Sequence, residues 1–152
     1  MFFRFFVLTG WLALTCPALA QERQWTFNTG EEEAYLVFGV PDSEDAGISF
    51  WCEMKSGQIR IFVPETSEEL KPGETVKLEI KSDGQAYVYD AQVEANEEAG
   101  IPSVQAVTLA SDLLFDVLGR NDRFSLKAGQ HETIFPLMQA DFPALVRVCA
   151  KS

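Results

Sequence analysis

The sequence predicts a mostly β fold, a two-layer β-sandwich with a short helix near residues 112–118 and a C-terminal helix near 142–150. Short segments rich in β-branched and aromatic residues, separated by turn sequences, fill most of the chain and are typical of strands. The apolar spacing changes to the helical period only after residue 110. One cysteine in a predicted strand and one in the last helix offer a covalent link between the sheet and the C-terminal end.

Residues 1–20 are predicted to be a secretory signal peptide that is cleaved after Ala20. The apolar run FFVLTGWLALT is too short to span a bilayer comfortably, and it ends in CPALA, which contains the small-x-small motif of signal peptidase. An uncleaved membrane anchor is one alternative. A lipoprotein with lipidated Cys16 is another, although Thr15 is a poor preceding residue. We expect a periplasmic protein with a single β-sandwich domain over 21–152 and no stable membrane span after cleavage.

The chain is strongly acidic, with 12 basic and 23 acidic residues and a formal net charge of −11. The predicted signal peptide contains one basic residue, Arg4, and no acid, so cleavage changes the charge to −12. This balance argues against nucleic acid and anionic lipid as partners, because both favour Lys and Arg. We interpret the acidity as a contribution to solubility rather than as an acidic docking surface.

Cleavage would leave two cysteines, Cys52 and Cys149. An even number of cysteines in an exported chain usually means pairing. A redox pair would usually be C-x-x-C, and a zinc site needs three or four ligands, whereas the only histidine is His131. A nucleophilic cysteine would need a nearby base, and no known motif surrounds either cysteine. We therefore predict a Cys52–Cys149 disulfide that ties the sheet to the C-terminal end.

The first half of the chain predicts four strands and a polar loop. An acidic turn separates the first two strands, and KSG separates the next two. The loop PETSEELKPG follows, punctuated by Pro64 and by Pro72-Gly73. The predicted strands span 24–29, 34–40, 48–54 and 58–64.

The clearest hairpin joins strands 75–81 and 86–94 through Asp83-Gly84. Both central positions of this favoured two-residue turn need positive φ, which Asp and Gly tolerate. The turn fixes the cross-strand register. On the core face it pairs Ile80 with Tyr87, Leu78 with Tyr89 and Val76 with Ala91, and on the other face Lys77 with Asp90 and Lys81 with Ala86.

The second half of the chain predicts strands 101–110, 123–128 and 132–137 and the two helices. Ser111 is the expected N-cap of the first helix, which is expected to end at Gly119.

In the last helix Asp141 is the expected cap, and Pro143 fits the first turn, where its missing N–H costs nothing. One helical face then carries Phe142, Leu145, Val146 and Cys149.

The order of these features resembles a known family. Trp25 precedes a strand ending in ISFWC, and a strand GQIRIFV follows it. A short helix SDLLFDVL, a strand RFSLKA and a last helix ending in ALVRVC complete the pattern. Over most of 25–149 this order resembles the TagO-like periplasmic proteins associated with type VI secretion and related small envelope proteins of alphaproteobacteria. The resemblance implies a β-sandwich, a cross-linking disulfide and an envelope location, and from it we carry over only Cys52 and Cys149.

The residues predict no catalytic site, metal site or cofactor. Asp42, Glu44 and Glu53 have the spacing of calcium-loop ligands, but Ala46 lacks a ligand oxygen and ISFWCE reads as a strand. We therefore expect an acidic surface turn there. His131, in the sequence GQHE, is expected to be an exposed turn residue, because no hydrolase motif accompanies it.

Trp51 is the candidate contact residue. If Phe50 and Cys52 face inward, Trp51 faces outward and suggests a contact surface; a second buried face, covered by a helix, is the alternative. We expect a non-enzymatic periplasmic binding or accessory protein whose partner is another envelope protein. The alternatives are a small cell-wall or carbohydrate-acting hydrolase or hydrolase inhibitor, using acidic residues and exposed aromatics, and a calcium-dependent adhesive module.

Overall fold

The computed structural model describes residues 22–64, 66 and 68–151, and this part of the chain contains nine β-strands and two α-helices. The mostly β fold with two helices is therefore confirmed, while the predicted signal peptide lies outside the described residues. The elements in chain order are β1 (Gln24–Thr29), β2 (Glu33–Gly39), β3 (Ala46–Glu53), β4 (Gln58–Val63), β5 (Thr75–Ser82), β6 (Gln85–Glu94), β7 (Ser103–Leu109), α1 (Leu113–Leu118), β8 (Arg123–Ala128), β9 (His131–Pro136) and α2 (Phe142–Cys149).

The strands form one sheet in the order β1-β2-β3-β4-β7-β6-β5-β8-β9, and every neighbouring pair is antiparallel. The sheet curls, so that its two halves face each other across the core. The ring centroids of Phe50 in β3 and Phe124 in β8 are 6.4 Å apart, and those of Trp25 in β1 and Phe124 are 6.5 Å apart. The two predicted layers are therefore the two halves of a single continuous sheet.

Phe50 lies at the centre of the core and is fully buried. Its ring packs 5.0 Å from Phe142 of α2 and 6.3 Å from Phe115 of α1. Both of these contacts are edge-on, which is a favourable geometry for aromatic pairs. Each helix therefore inserts one aromatic ring into the space between the two halves of the sheet.

The Asp83-Gly84 hairpin forms as predicted. Asp83 has φ 50° and Gly84 has φ 72°, the positive values that this turn requires. The predicted register is confirmed at every position named above, including Leu78 opposite Tyr89 and Lys77 opposite Asp90. Lys77 and Asp90 also form an ion pair at 2.6 Å.

The N-cap of α1 differs from the prediction. Asp112, not Ser111, caps the helix, and its carboxylate accepts the Leu114 N–H at 2.9 Å. The same carboxylate accepts hydrogen bonds from the hydroxyl groups of Thr108, four residues earlier, and of Tyr89, 23 residues earlier. These contacts hold Asp112 in the capping position. The predicted cap of α2 is confirmed, because Asp141 accepts the Ala144 N–H at 2.9 Å.

The predicted disulfide between Cys52 and Cys149 is present, and both residues are buried. Two backbone hydrogen bonds reinforce the same junction. The Lys55 N–H donates to the Val148 carbonyl at 2.9 Å, and the Gly57 N–H donates to the Cys149 carbonyl at 2.8 Å. The end of α2 is therefore attached covalently to β3 and by backbone hydrogen bonds to the turn that follows β3.

Replacing both cysteines by alanine should lower the free energy of unfolding. The bridged residues are 97 apart in sequence, and closing a loop of that length restricts the unfolded chain by about 4–5 kcal/mol in the chain-entropy model. Equilibrium denaturation of the oxidised protein and the double variant measures the difference. Equal stability of the two proteins would contradict this role.

Gly84→Ala should destabilise the protein by about 1 kcal/mol, because an alanine at positive φ is strained. Gly30→Ala is the matched control in another hairpin turn. Gly30 has no positive φ, and the nearest atom to an added Cβ would be the Glu33 carbonyl oxygen at an ordinary 3.7 Å. Thermal unfolding should separate the two variants, and an equal loss in both would contradict the turn assignment.

Candidate functional site

The outer face of the curled sheet carries the candidate site. In β3 the inward residues Phe50 and Cys52 are buried, so Trp51 points outward between them. Tyr35 of β2 lies directly opposite Trp51 on one side, and Arg60 of β4 lies opposite it on the other. We call Tyr35, Trp51 and Arg60 the outer aromatic row.

Trp51 is sandwiched within this row. Its ring stacks on Tyr35 with a centroid distance of 5.9 Å and an interplanar angle of 17°. The Arg60 guanidinium carbon lies 4.8 Å from the Trp51 ring centroid, within cation–π range. Trp51 is therefore outward, as expected, but it is half-buried by its two cross-strand neighbours and not by a helix.

Acidic side chains border one end of the row. The Glu33 carboxylate accepts a hydrogen bond from the Tyr35 hydroxyl, and this bond, together with partial burial, raises the pKa of Tyr35. Glu53 lies next to Glu33 across the β2–β3 ladder. An Arg60 guanidinium nitrogen lies 3.9 Å from a Glu53 carboxylate oxygen, and the Glu53 side chain is largely exposed, so this ion pair is weak.

The row continues into apolar surface. Val37 and Phe62 lie on the same face and are half-buried. Val107, 45% exposed, also faces outward on β7 next to β4. Trp, Tyr and Arg are the residue types that most often dominate protein–protein interfaces. The arrangement therefore has the composition of a docking surface.

An open groove of about 710 Å³ lies beside Phe62 and is lined by the loops that follow β2 and β6. A glycosidase needs one carboxyl group buried enough to stay protonated. The lining carboxylates are all exposed, and Asp45 is also paired with Arg23 at 2.5 Å. The groove therefore does not favour the hydrolase alternative. These carboxylates are Glu44, Asp45, Glu94, Glu97 and Glu98.

The structure does not assemble the other candidates into a site. Among the described residues, no group of three or more His, Cys, Asp or Glu side chains is arranged to hold a metal ion. Asp42 and Glu44 lie in an exposed turn. His131 begins β9 rather than lying in a turn; it is exposed, and its Nε2 lies 2.8 Å from the Thr133 hydroxyl.

A polar network joining β6, β7 and α1 was not predicted from the sequence. Tyr89 donates a hydrogen bond to Asp112 Oδ2 at 3.0 Å, and Thr108 donates to the same oxygen at 2.6 Å. Burial, with the Asp112 charge as the second cause, raises the pKa of Tyr89 well above its ordinary value. Because Asp112 also caps α1, the network is structural. The local signal that could have indicated it is Asp112 itself, because Asp is a favoured N-cap residue.

The chain matches no protein-family model, and no curated protein and no solved structure is significantly similar to it.

The raised pKa of Tyr89 predicts a dependence of stability on alkaline pH. The folded state favours the protonated phenol, so this contribution is complete below the unfolded pKa of about 10. It is lost as the pH rises through the higher folded value. Tyr89→Phe should therefore reduce the loss of stability above pH 10, measured by denaturation at several pH values. An unchanged alkaline slope would contradict the assignment.

Proposed function

We propose that this chain is an exported, non-enzymatic binding or accessory protein of the cell envelope that docks another envelope protein on its outer aromatic row. The observation that carries the proposal is the stacking of Tyr35, Trp51 and Arg60 in the outer aromatic row. The large apolar side chains on this surface are supported from below by the buried core.

Export is supported by the disulfide, because such bonds persist in oxidising compartments. None of the described helices is long and apolar enough to cross a membrane. A role like that of the TagO-like proteins in type VI secretion stays a prediction from the resemblance of the sequence.

The row suits a protein partner better than a sugar. A sugar ring stacks on an open aromatic face, but Tyr35 and Arg60 cover the two faces of the Trp51 indole. A sugar would have to displace the Arg60 cation–π contact, which is worth about 0.5–1 kcal/mol at an exposed site. A protein surface can instead pack on the indole edge, Phe62 and Val107 together.

The charges beside the row specify the partner further. Glu33 and Glu53 border the row, whereas we interpret the acidity of the rest of the chain as a contribution to solubility. A partner with an apolar centre and a Lys- or Arg-rich rim would complement this pattern. Exposed charges of this kind accelerate association mainly at low salt.

A photo-reactive residue at Val107 should cross-link the partner in cells, whereas the same residue at Lys127, on the outer face of distant β8, should not.

Trp51→Ala should abolish the cross-link and weaken the purified complex by about 2 kcal/mol or more, the size of an interface hot spot. Ile134→Ala is the matched control, because Ile134 is 66% exposed on the outer face of β9.

The proposal is supported if the cross-linked protein is exported and, once purified, binds this chain. Trp51→Ala and added salt should both weaken that binding. The proposal fails if Val107 and Lys127 give the same adducts. It also fails if Trp51→Ala remains folded and binds as well as Ile134→Ala.

A further inference from the structure

Within the part of the chain that the structure describes, the two edge strands of the sheet, β1 and β9, do not pair with each other. Nine strands with antiparallel neighbours throughout leave β1 and β9 running in the same direction. The edges meet through a side chain, since the Trp25 indole N–H donates to the Pro136 carbonyl at 2.5 Å. Among the described residues, both strands therefore remain edge strands.

The two edges differ in their protection. A two-residue turn joins Ala128 to His131, so alternation directs the backbone groups of Glu132, Ile134 and Pro136 away from β8. Of these, Glu132 is charged and Pro136 has no N–H, and both features oppose the addition of a strand. The sequence of β1, QWTFNT, contains neither a charge nor a proline.

The free groups of β1 can be identified from the ladder. The Gly30 N–H donates to the Glu33 carbonyl at 2.8 Å and closes the β1–β2 turn. Hydrogen-bonded pairs alternate along an antiparallel ladder. Gln24, Thr26 and Asn28 therefore bond to β2, and the backbone N–H and C=O groups of Trp25, Phe27 and Thr29 point to the open edge.

We propose that β1 pairs with β1 of a second copy of this chain, antiparallel, about a twofold axis through Phe27. This register pairs Trp25 with Thr29 of the second copy and Phe27 with its own counterpart. Each of these pairs exchanges both of its N–H···O bonds. Phe27, which is half-buried, gains a second aromatic ring as its neighbour. The contact is self-complementary, as a twofold interface must be.

Charge complementarity supports this register. Arg23 directly precedes β1, and Glu31 lies in the turn that follows β1, so this register brings Arg23 of one copy to the end of the strand pair where Glu31 of the second copy lies. Arg23 already bonds Asp45 through one nitrogen, and its planar guanidinium can serve a second carboxylate. These two cross-copy contacts offset part of the repulsion between two acidic chains.

The strand contact alone is small. A six-residue strand is only about 20 Å long, which is less than the span of a standard interface. The dimer is therefore reversible, and its dissociation constant lies in the micromolar range, below millimolar.

Sedimentation equilibrium of the full exported chain should reveal a concentration-dependent monomer–dimer equilibrium. Amide hydrogen exchange should slow with increasing protein concentration at Trp25, Phe27 and Thr29. The exchange rates of the Glu132 and Ile134 amides, on the other edge of the sheet, should not change with protein concentration. A monomer at millimolar concentration, or protection that appears instead at β9, overturns the proposal.

Thr29→Pro removes an outward edge N–H and should raise the dissociation constant about tenfold or more, since each copy loses a hydrogen bond and gains a steric block. Ile134→Pro is the matched control on β9 and should leave dimerisation unchanged. Both variants are checked for folding by circular dichroism.

A charge-reversal pair keeps the proposal testable if a proline variant unfolds. Arg23→Glu and Glu31→Arg should each weaken the dimer a few-fold, and the two substitutions combined should restore it. Failure of the combined variant to recover would overturn this register.

Discussion

The contacts of Phe50 hold the two halves of the sheet and both helices together. Its ring touches Trp25 in β1, Phe124 in β8, Phe115 in α1 and Phe142 in α2. Two residues later, on the same inward face, Cys52 forms the disulfide with Cys149 at the end of α2. A short inward stretch of β3 therefore joins the curled sheet to the C-terminal helix by ring packing and by a covalent bond.

The same stretch of β3 also determines the outer surface. Side chains alternate along a strand, so burying Phe50 and Cys52 directs Trp51 outward. The neighbouring strands then supply Tyr35 and Arg60 at the same level through their registers. A slip of one residue in β3 would exchange core and surface together. The stability of the core and the geometry of the outer row therefore depend on one register.

Local features of the fold could be predicted from the sequence because neighbouring residues determine them. The Asp83-Gly84 turn fixed the register of its hairpin, and Asp141 and Pro143 marked the start of α2. The predicted limits of the strands differ by a few residues from the observed ones where pairing with a neighbouring strand determines the limit. β3 begins at Ala46 rather than at residue 48, because the register shift after Phe38 lets Gly39 pair with Ala46.

Long-range features could not be predicted in this way. The pairing of β4 with β7 and of β5 with β8 joins segments separated by long stretches of chain, and no local pattern encodes that choice. The environment of Trp51 depends on the neighbours of β3. The outward direction of Trp51 therefore followed from alternation, whereas its covering by Tyr35 and Arg60 required the full sheet order.

The state of the two sulfur atoms tests the anchoring of α2 on β3 most directly. Protein purified without reductant is unfolded, alkylated, and measured by intact mass spectrometry. The structure predicts that neither Cys52 nor Cys149 takes a label until a reductant is added, after which both do. Two labelled thiols without reductant would contradict the covalent junction.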